Sequence, residues 1–227
     1  MAWWWSAWSP PPPWVAEYPA VNAQTEWKTQ PGPAGVLEVA IDRPAGQAVG
    51  TAVIAHPHPL HGGTLTNKVV QTLARATVLA GYTAVRFNFR GVGRSEGVHD
   101  NGQGELDDLL SVVQAQAPSG PLCLAGFSFG AFVTTHAVQR LHPSRDIRHV
   151  VLVGTAASRF QVATIPPELH VRTLVVHGEQ DDTVPLSSVM DWARPQVLPV
   201  LVVPSGGHFF HGQLPMLRDR VLHHLQA

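Results

Sequence analysis

The sequence predicts an α/β fold in which helices cover both faces of a mostly parallel sheet. From Gly35 onward, short apolar runs that are rich in β-branched residues alternate with longer stretches whose apolar residues recur at helical spacing. One of these runs, GTAVIAH, is almost wholly apolar, as in a strand that is buried on both faces. No internal repeat or charge run interrupts the alternation. Strands that alternate with helices are typical of a layered α/β fold.

The individual elements follow from these patterns in chain order. The helix over residues 67–81 has the best-defined ends, because Asn67 is a suitable N-cap and Gly81 follows at the C-terminus. The predicted strands are residues 35–42, 50–56, 82–89, 121–126, 147–154, 171–178 and 198–206, and the predicted helices are residues 67–81, 104–117, 129–141, 187–194 and 214–226.

We expect one domain, residues 21–227, preceded by an N-terminal extension, residues 1–20. A chain of 227 residues can build one large core, whereas a split would leave two small pieces. The extension MAWWWSAWSPPPPWVAEYPA is rich in Trp and Pro and lacks the basic and continuous apolar regions of a secretory signal. It is therefore predicted to be disordered or non-native. The alternative is a stiff polyproline II arm that presents its tryptophans to a partner.

The charge balance and the cysteine content exclude several classes of partner. The 15 Lys and Arg residues nearly balance the 16 Asp and Glu residues, so neither a nucleic-acid partner nor a membrane surface is expected. Cys123 is the sole cysteine, which excludes an intrachain disulfide and fits a reducing cytoplasm. Its position in an apolar strand indicates a small buried side chain. The sequence does not indicate an oligomeric state.

Ser128 stands in the stretch GFSFG, between a predicted strand and a predicted helix. Gly126 and Gly130 lack side chains where the backbones must pass closely, and the tight turn would expose the serine hydroxyl as a nucleophile. The plainer alternative is that the hydroxyl caps the helix that follows. A catalytic serine also needs a neutral imidazole and a carboxylate that fixes the imidazole tautomer. His208 and Asp181 are the candidates, each on a loop that follows a strand.

From about Gly35 to its C-terminus, the chain resembles the α/β-hydrolases, and in particular the small lidless bacterial serine hydrolases. The resemblance implies that Ser128 is the nucleophile, that His208 is the general base and then the general acid, and that Asp181 orients the histidine. The motifs that carry it, in the same order as in the family, are AHPHPLHGG, NKVV, FNFRGVGRSEG, AGFSFGA, HGEQDDTVP and GHFFHG.

Two neighbouring residues compete for these roles. Asp182 is adjacent to Asp181, but the spacing of the family motif favours Asp181 and leaves Asp182 to cap the next turn. His211 lies near His208, but the two glycines before His208 make that residue the better base, and His211 is interpreted as a surface residue.

An oxyanion hole requires two backbone N–H donors. The first is predicted to be the amide of Phe129, at the start of the helix after the nucleophile. The second is expected from the loop HPHPLHGGT, in which Pro57 and Pro59 have no N–H. His58 takes the place of the usual family residue, with Leu60 as the second choice.

The same loop suggests a rival, metal-dependent mechanism. His56, His58 and His61 form a His-x-His-x-x-His run that is similar to the zinc-binding segment of metallo-β-lactamase-like hydrolases. In that family an Asp precedes the last histidine, whereas Leu60 stands there in this chain. We therefore expect no metal and no cofactor.

The function that these features predict is cleavage of small carboxylic esters through an acyl-enzyme intermediate. The connection GTAASRFQVATIPPELH is too short for a large lid, so compact acyl groups are favoured over lipids. Phe127, Phe129, Phe160 and Phe209 are candidate walls of the acyl pocket, with core packing as the alternative for each. An acyltransferase, a peptidase or a non-catalytic binding protein of the same fold are the other functions that the sequence allows.

Overall fold

The structure, a computed structural model, describes residues 24–227, so the predicted extension over residues 1–20 lies outside the described residues. The strands are β1 (Glu26–Gly32), β2 (Gly35–Asp42), β3 (Gly50–Ala55), β4 (Tyr82–Phe87), β5 (Leu122–Phe127), β6 (Ile147–Val153), β7 (Thr173–Gly178) and β8 (Val200–Val203). The helices are α1 (Lys68–Leu79), α2 (Gln103–Gln116), α3 (Phe129–Leu141), α4 (Leu186–Ala193) and α5 (Leu214–Gln226).

All eight strands form one sheet in the order β1-β2-β4-β3-β5-β6-β7-β8. From β4 to β8 the neighbouring strands are parallel, whereas β2 is antiparallel to both β1 and β4. Because the carboxyl ends of parallel strands meet at one edge, the loops after β3, β5, β7 and β8 open on the same side. The α/β class with a mostly parallel sheet is confirmed.

Helices bury apolar residues against both faces of the sheet. On one face α2, α3 and α4 enclose a core that includes Leu109, Val133 and Val189. On the other face α1 and α5 enclose a second core that includes Leu73 and Leu217. The ends of α1 also follow the prediction: the Asn67 side chain accepts a hydrogen bond from the Val69 amide, and Gly81 has a positive φ of 90° just after the C-cap. Cys123 is fully buried in β5.

Strand β1 was not predicted. Its sequence, EWKTQPG, is mostly polar and exposed, and it pairs along one side only, with β2. An edge strand needs little apolar surface, so the apolar patterning that reveals the inner strands is absent here. Gly32 pairs with Gly35 across a two-residue turn, which joins the two strands in a hairpin.

The connection between β6 and β7 contains one short 3-10 helix, Pro167–Arg172, and no larger helical insertion. The prediction that a large lid is lacking is therefore confirmed. Within residues 24–227, none of the helices combines the length and the apolar character that crossing a bilayer would require.

Candidate active site

Ser128 lies at the sharp turn between β5 and α3. Its φ of 57° and ψ of −116° are unusual for a residue with a side chain. A Cβ at Gly126 would collide with the Gly130 backbone, and one at Gly130 would collide with the carbonyl oxygens of Ala55 and His56. The two glycines therefore let the turn close against itself and against the end of β3. The Ser128 side chain does not cap α3.

Three side chains from different loops meet at this turn. The Ser128 Oγ lies 3.0 Å from Nε2 of His208, and Nδ1 of His208 lies 2.7 Å from Oδ2 of Asp181. All three residues are buried, with Ser128 and Asp181 each 7% exposed and His208 4% exposed. The His208 ring packs on the ring of Phe127 at 4.9 Å, and a Cβ at Gly154 would touch its edge. Packing thus fixes the orientation of the imidazole.

Asp181 and Asp182 have different environments, although they are adjacent. Oδ1 of Asp181 accepts hydrogen bonds from the amides of Thr183 at 2.9 Å and Val184 at 2.7 Å, which leaves Oδ2 for His208. Asp182 is exposed, and its one hydrogen bond within residues 24–227 is from the Thr183 hydroxyl, at 3.2 Å. Burial by itself would raise the pKa of Asp181, but the hydrogen bonds from His208 and Val184 outweigh burial and lower it. Asp181 is therefore an ionised partner for the imidazole.

The predicted oxyanion donors lie on the loop after β3 and at the start of α3. The His58 and Phe129 rings are in contact, with centroids 5.0 Å apart. Within the described residues, neither the His58 amide nor the Phe129 amide donates a hydrogen bond to the protein. The amide of Leu60, the second choice, donates to Nδ1 of His58 at 3.2 Å and is already engaged.

His56 forms hydrogen bonds that fix the loop after β3, which carries the predicted oxyanion donor His58. Its Nε2 accepts a hydrogen bond from the Phe89 amide at 3.0 Å, so the proton is on Nδ1, which donates to the Pro57 carbonyl at 2.6 Å. The Pro57 carbonyl belongs to the same peptide plane as the His58 N–H, so this bond also fixes the direction of the predicted donor. Burial lowers the pKa of His56 to about 3. Both ring nitrogens are in use, which leaves neither for a zinc ion.

Imidazole and phenyl rings surround Phe129. His58 lies 4.6 Å from His61 and 4.9 Å from His99, measured between ring centroids. Burial, with smaller effects from His61 and His99, lowers the pKa of His58 to about 4. Nδ1 of His99 lies 2.8 Å from Oε1 of Glu105, although the contact is poorly aligned for a hydrogen bond. This side of the site therefore presents aromatic rings, among which the His58 imidazole is neutral at pH 7.

The four candidate phenylalanines lie in two different places. Phe129 and Phe160 pack together at 5.2 Å beside the predicted oxyanion loop, and Phe160 is half-buried. Phe209 is 38% exposed and packs on His208 at 5.1 Å. Phe127 is fully buried against His208 and belongs to the core on the α1 and α5 face. Phe127 thus packs in the core, whereas Phe160 and Phe209 have surface available to a ligand.

His211, which was interpreted as a surface residue, lies outside the cluster around Ser128, and Arg90 and Glu105 have structural contacts of their own. His211 is exposed and bonds to Nζ of Lys68 at 2.8 Å. Arg90 forms a two-pronged ion pair with the carboxylate of Asp108, with distances of 2.8 and 3.0 Å. Glu105 accepts hydrogen bonds from the amides that precede α2, so its role there is that of a helix cap.

The sequence analysis did not predict that two buried histidines would form hydrogen bonds next to the candidate site. His56 was considered only as a possible metal ligand, and His177 was included in a strand without a role. Each ends or nearly ends a buried apolar strand, where a polar ring must find partners. That position is the signal that could have indicated them.

Comparisons with known proteins match this chain to hydrolases. Residues 55–163 match the family described as serine aminopeptidase, S33. An uncharacterised protein of Rickettsia prowazekii is 32% identical over 167 residues, which cover 70% of this chain and 68% of that protein.

Two solved structures are similar over nearly their whole length. A Xanthomonas campestris protein, described as an α/β serine hydrolase without a lid, has a TM-score of 0.80 and 37% identity, covering 92% of this chain and 96% of its own. An α/β serine hydrolase homologue from Coxiella burnetii has a TM-score of 0.74 and 40% identity, covering 87% and 96%.

The short connection after β6 agrees with the description of the Xanthomonas protein as a hydrolase without a lid. The resemblance inferred from the sequence motifs is confirmed by both the family match and the structural similarity. This chain therefore belongs to the α/β-hydrolase superfamily, among the serine hydrolases that lack a lid.

Proposed function

We propose that the protein is an esterase that cleaves compact carboxylic esters through an acyl-enzyme, with Ser128, His208 and Asp181 as its catalytic triad. The observation that carries the proposal is the continuous chain of hydrogen bonds from Ser128 Oγ through both nitrogens of His208 to Asp181 Oδ2. Each bond has the length that proton transfer or tautomer control requires.

In the acylation step, Ser128 Oγ attacks the ester carbonyl carbon while its proton passes to Nε2 of His208. Asp181 remains ionised and stabilises the imidazolium through the bond to Nδ1. As the tetrahedral intermediate collapses, the imidazolium returns the proton to the departing alkoxide. Water then attacks the acyl-enzyme carbonyl with His208 again as the base, and Ser128 leaves with the proton.

The negative charge of each tetrahedral intermediate is assigned to the amides of Phe129 and His58. The amide of Phe129 lies at the N-terminus of α3, where the positive end of the helix dipole also stabilises a negative charge. Neither donor has an acceptor in the part of the chain that the structure describes, so neither has to break a bond when the oxyanion forms. Preorganisation of this kind is typically worth about 3–4 kcal/mol for one donor.

The substrate is proposed to be a small, uncharged ester with a compact acyl group. The β6–β7 connection offers little cover for a long acyl chain, while Phe160 and Phe209 present limited apolar surface near the candidate site. The near balance of charges provides no bulk attraction for an anionic polymer. The proposed reaction requires no metal or cofactor, and we propose a cytoplasmic location, with which the single cysteine, Cys123, is consistent.

A peptidase is the second candidate, because the matched family is described as serine aminopeptidase. An aminopeptidase needs a free carboxylate that binds the substrate's amino group. Glu105 is the acidic residue whose charge reaches His58, but it already accepts from the amides of Asp100 and Gly102. The positive charge of Arg159, which reaches His58, would repel an ammonium group rather than bind it. Ester cleavage is therefore favoured.

The nucleophile is tested with a fluorophosphonate probe. We expect wild type to be labelled once and Ser128→Ala to lose both labelling and turnover, because no other hydroxyl among residues 24–227 is bonded to His208. Ser158→Ala, an exposed serine on the β6–β7 connection, is the matched control and should behave as wild type. Labelling that persists in Ser128→Ala would refute the assignment.

The substrate class is tested on the same enzyme with nitrophenyl esters of increasing acyl length, matched anilides and aminoacyl anilides. We expect the highest kcat/KM for short acyl esters. A preference for aminoacyl anilides would instead support the peptidase.

A further inference from the structure

His177 is a fully buried histidine beside the acid of the proposed triad. It is the second-last residue of β7, four residues before Asp181, and its side chain has no solvent exposure. Its Nε2 lies 2.8 Å from the Val184 carbonyl and 3.4 Å from Oδ2 of Asp181. A carbonyl oxygen only accepts, so Nε2 carries the ring proton and points towards both oxygens.

Hydrogen bonds connect His177 to Asp181 through Val184. His177 donates to the Val184 carbonyl, and the Val184 amide donates to Oδ1 of Asp181 at 2.7 Å. The Thr183 amide donates to the same oxygen at 2.9 Å. Val184 is itself buried, so the turn over residues 181–184 is held at both of its ends. With Oδ1 occupied in this way, Oδ2 is the oxygen that faces His208.

His177 is not placed to exchange protons. Its Nδ1 is buried and has no hydrogen-bond partner among the described residues, so a second proton would have no acceptor. Burial lowers the pKa of His177, although the hydrogen bond to the Val184 carbonyl and the charge of Asp181 oppose this effect. The ring is placed as a donor whose N–H faces the Asp181 carboxylate.

We propose that His177 is a positioning residue, which fixes the turn over residues 181–184 and so keeps Oδ2 of Asp181 in line with Nδ1 of His208. The inference rests on the proposed serine mechanism and adds a fourth residue to it, one that does not touch the substrate. A small displacement of the carboxylate would misalign the imidazole, and misplacement by about 1 Å can cost about 10²-fold in rate.

The test compares His177→Phe with His177→Gln. Phenylalanine fills the space but has no N–H, whereas the Gln side-chain amide can place a donor near the position of Nε2. His149→Phe is the control, because this partly buried histidine lies in β6 near its start, at the edge of the sheet opposite to the carboxyl ends. For each variant, fluorophosphonate titration counts the competent sites, and kcat and KM are measured per titrated site.

We expect His177→Phe to lower kcat per titrated site by about 10–100-fold with KM within about twofold, and His177→Gln to recover most of the loss. His149→Phe should keep kcat per site. A purely structural role would lower the number of titratable sites or the melting temperature but leave kcat per titrated site unchanged, and that result would overturn the inference. Failure of wild type to be labelled would instead refute the proposed serine mechanism.

Discussion

At the scale of single residues, the environment of a side chain decides its role more than its identity does. Asp181 and Asp182 have the same chemistry and adjacent positions, yet one is buried among donors and the other faces water. Only a carboxylate that is desolvated and held by several donors can orient an imidazole without rotating away. This contrast makes the pair a natural internal control.

We expect Asp181→Asn to lower kcat by about 10³–10⁴-fold, because an amide can hold the imidazole in the wrong tautomer and cannot stabilise the imidazolium. Asp182→Asn should change kcat by less than about twofold, since its exposed side chain contacts only the Thr183 hydroxyl. Steady-state kinetics on both variants checks the prediction. Comparable losses in the two variants would contradict it.

Activity should fall on the acid side, because only an uncharged His208 can accept the Ser128 proton. His56 and His58 have pKa values lowered to about 3 and about 4, so they stay neutral above about pH 5 and do not contribute to this loss. We expect His208→Ala to abolish turnover, whereas His211→Ala keeps most of the rate and the same acid limb. An acid limb that disappears in His211→Ala would transfer the role of base to that residue.

At the scale of elements, the active site depends on how closely α3 approaches the end of β3. Gly130 lies in the first turn of α3, and its missing Cβ leaves room for the carbonyl oxygens of Ala55 and His56. The same approach brings the Phe129 amide towards the loop that carries His58. A glycine in a helix usually costs about 1 kcal/mol relative to alanine, so a specific benefit is needed to offset that cost.

We expect Gly130→Ala to destabilise the protein by about 1–3 kcal/mol despite the better helix propensity, because the added methyl group collides with rigid backbone. It should also lower kcat by displacing the Phe129 amide. Gly46→Ala is the control, since among the described residues no atom beyond its chain neighbours lies within 4 Å of a Cβ there. Urea unfolding and kinetics measure both effects. Increased stability in Gly130→Ala would show that the helix can move aside without penalty.

The elements also show what the sequence could and could not predict. Strands β2 to β8 have apolar runs that identify them, and Ser128, Asp181 and His208 follow such runs within distinctive motifs. The polar strand β1 has no such pattern, because it covers an edge. The roles of His56 and His177 depend on hydrogen bonds to backbone carbonyl groups that are near in sequence. These bonds form only in a particular loop conformation, which the type of residue alone did not reveal.

At the scale of the whole molecule, the fold keeps several of its 13 histidines neutral. Burial lowers the pKa of His149 to about 4, with smaller effects from His224 and nearby arginines. The pKa values of His56, His58, His177 and His224 are lowered as well, in each case chiefly by burial. These residues are spread over both ends of the sheet, so their titration affects global stability and not only the active site.

This arrangement predicts that the folded state loses stability in mild acid. An unfolded histidine takes up a proton near pH 6.5, whereas these folded ones do so only at lower pH, so between those values the unfolded state binds more protons. Stability is then complete above about pH 6.5 and declines as the pH falls. Each such group contributes at most about 1.4 kcal/mol per pH unit, and half-buried His149 contributes less. Asp181 acts in the same direction, but only below about pH 4.

Urea unfolding between pH 7.5 and pH 5.0 tests this prediction. We expect the free energy of unfolding of the wild type to fall over this range, and His149→Phe to show a shallower fall, because one of the protons that the unfolded state takes up is removed. His223→Phe, which replaces an exposed histidine of α5, should leave the slope close to that of the wild type. A free energy of unfolding that stays constant or rises between pH 7.5 and pH 5.0 would mean that these histidines are protonated in the folded protein. Their rings could not then be the neutral donors and acceptors on which the geometry around His56 and His177 depends.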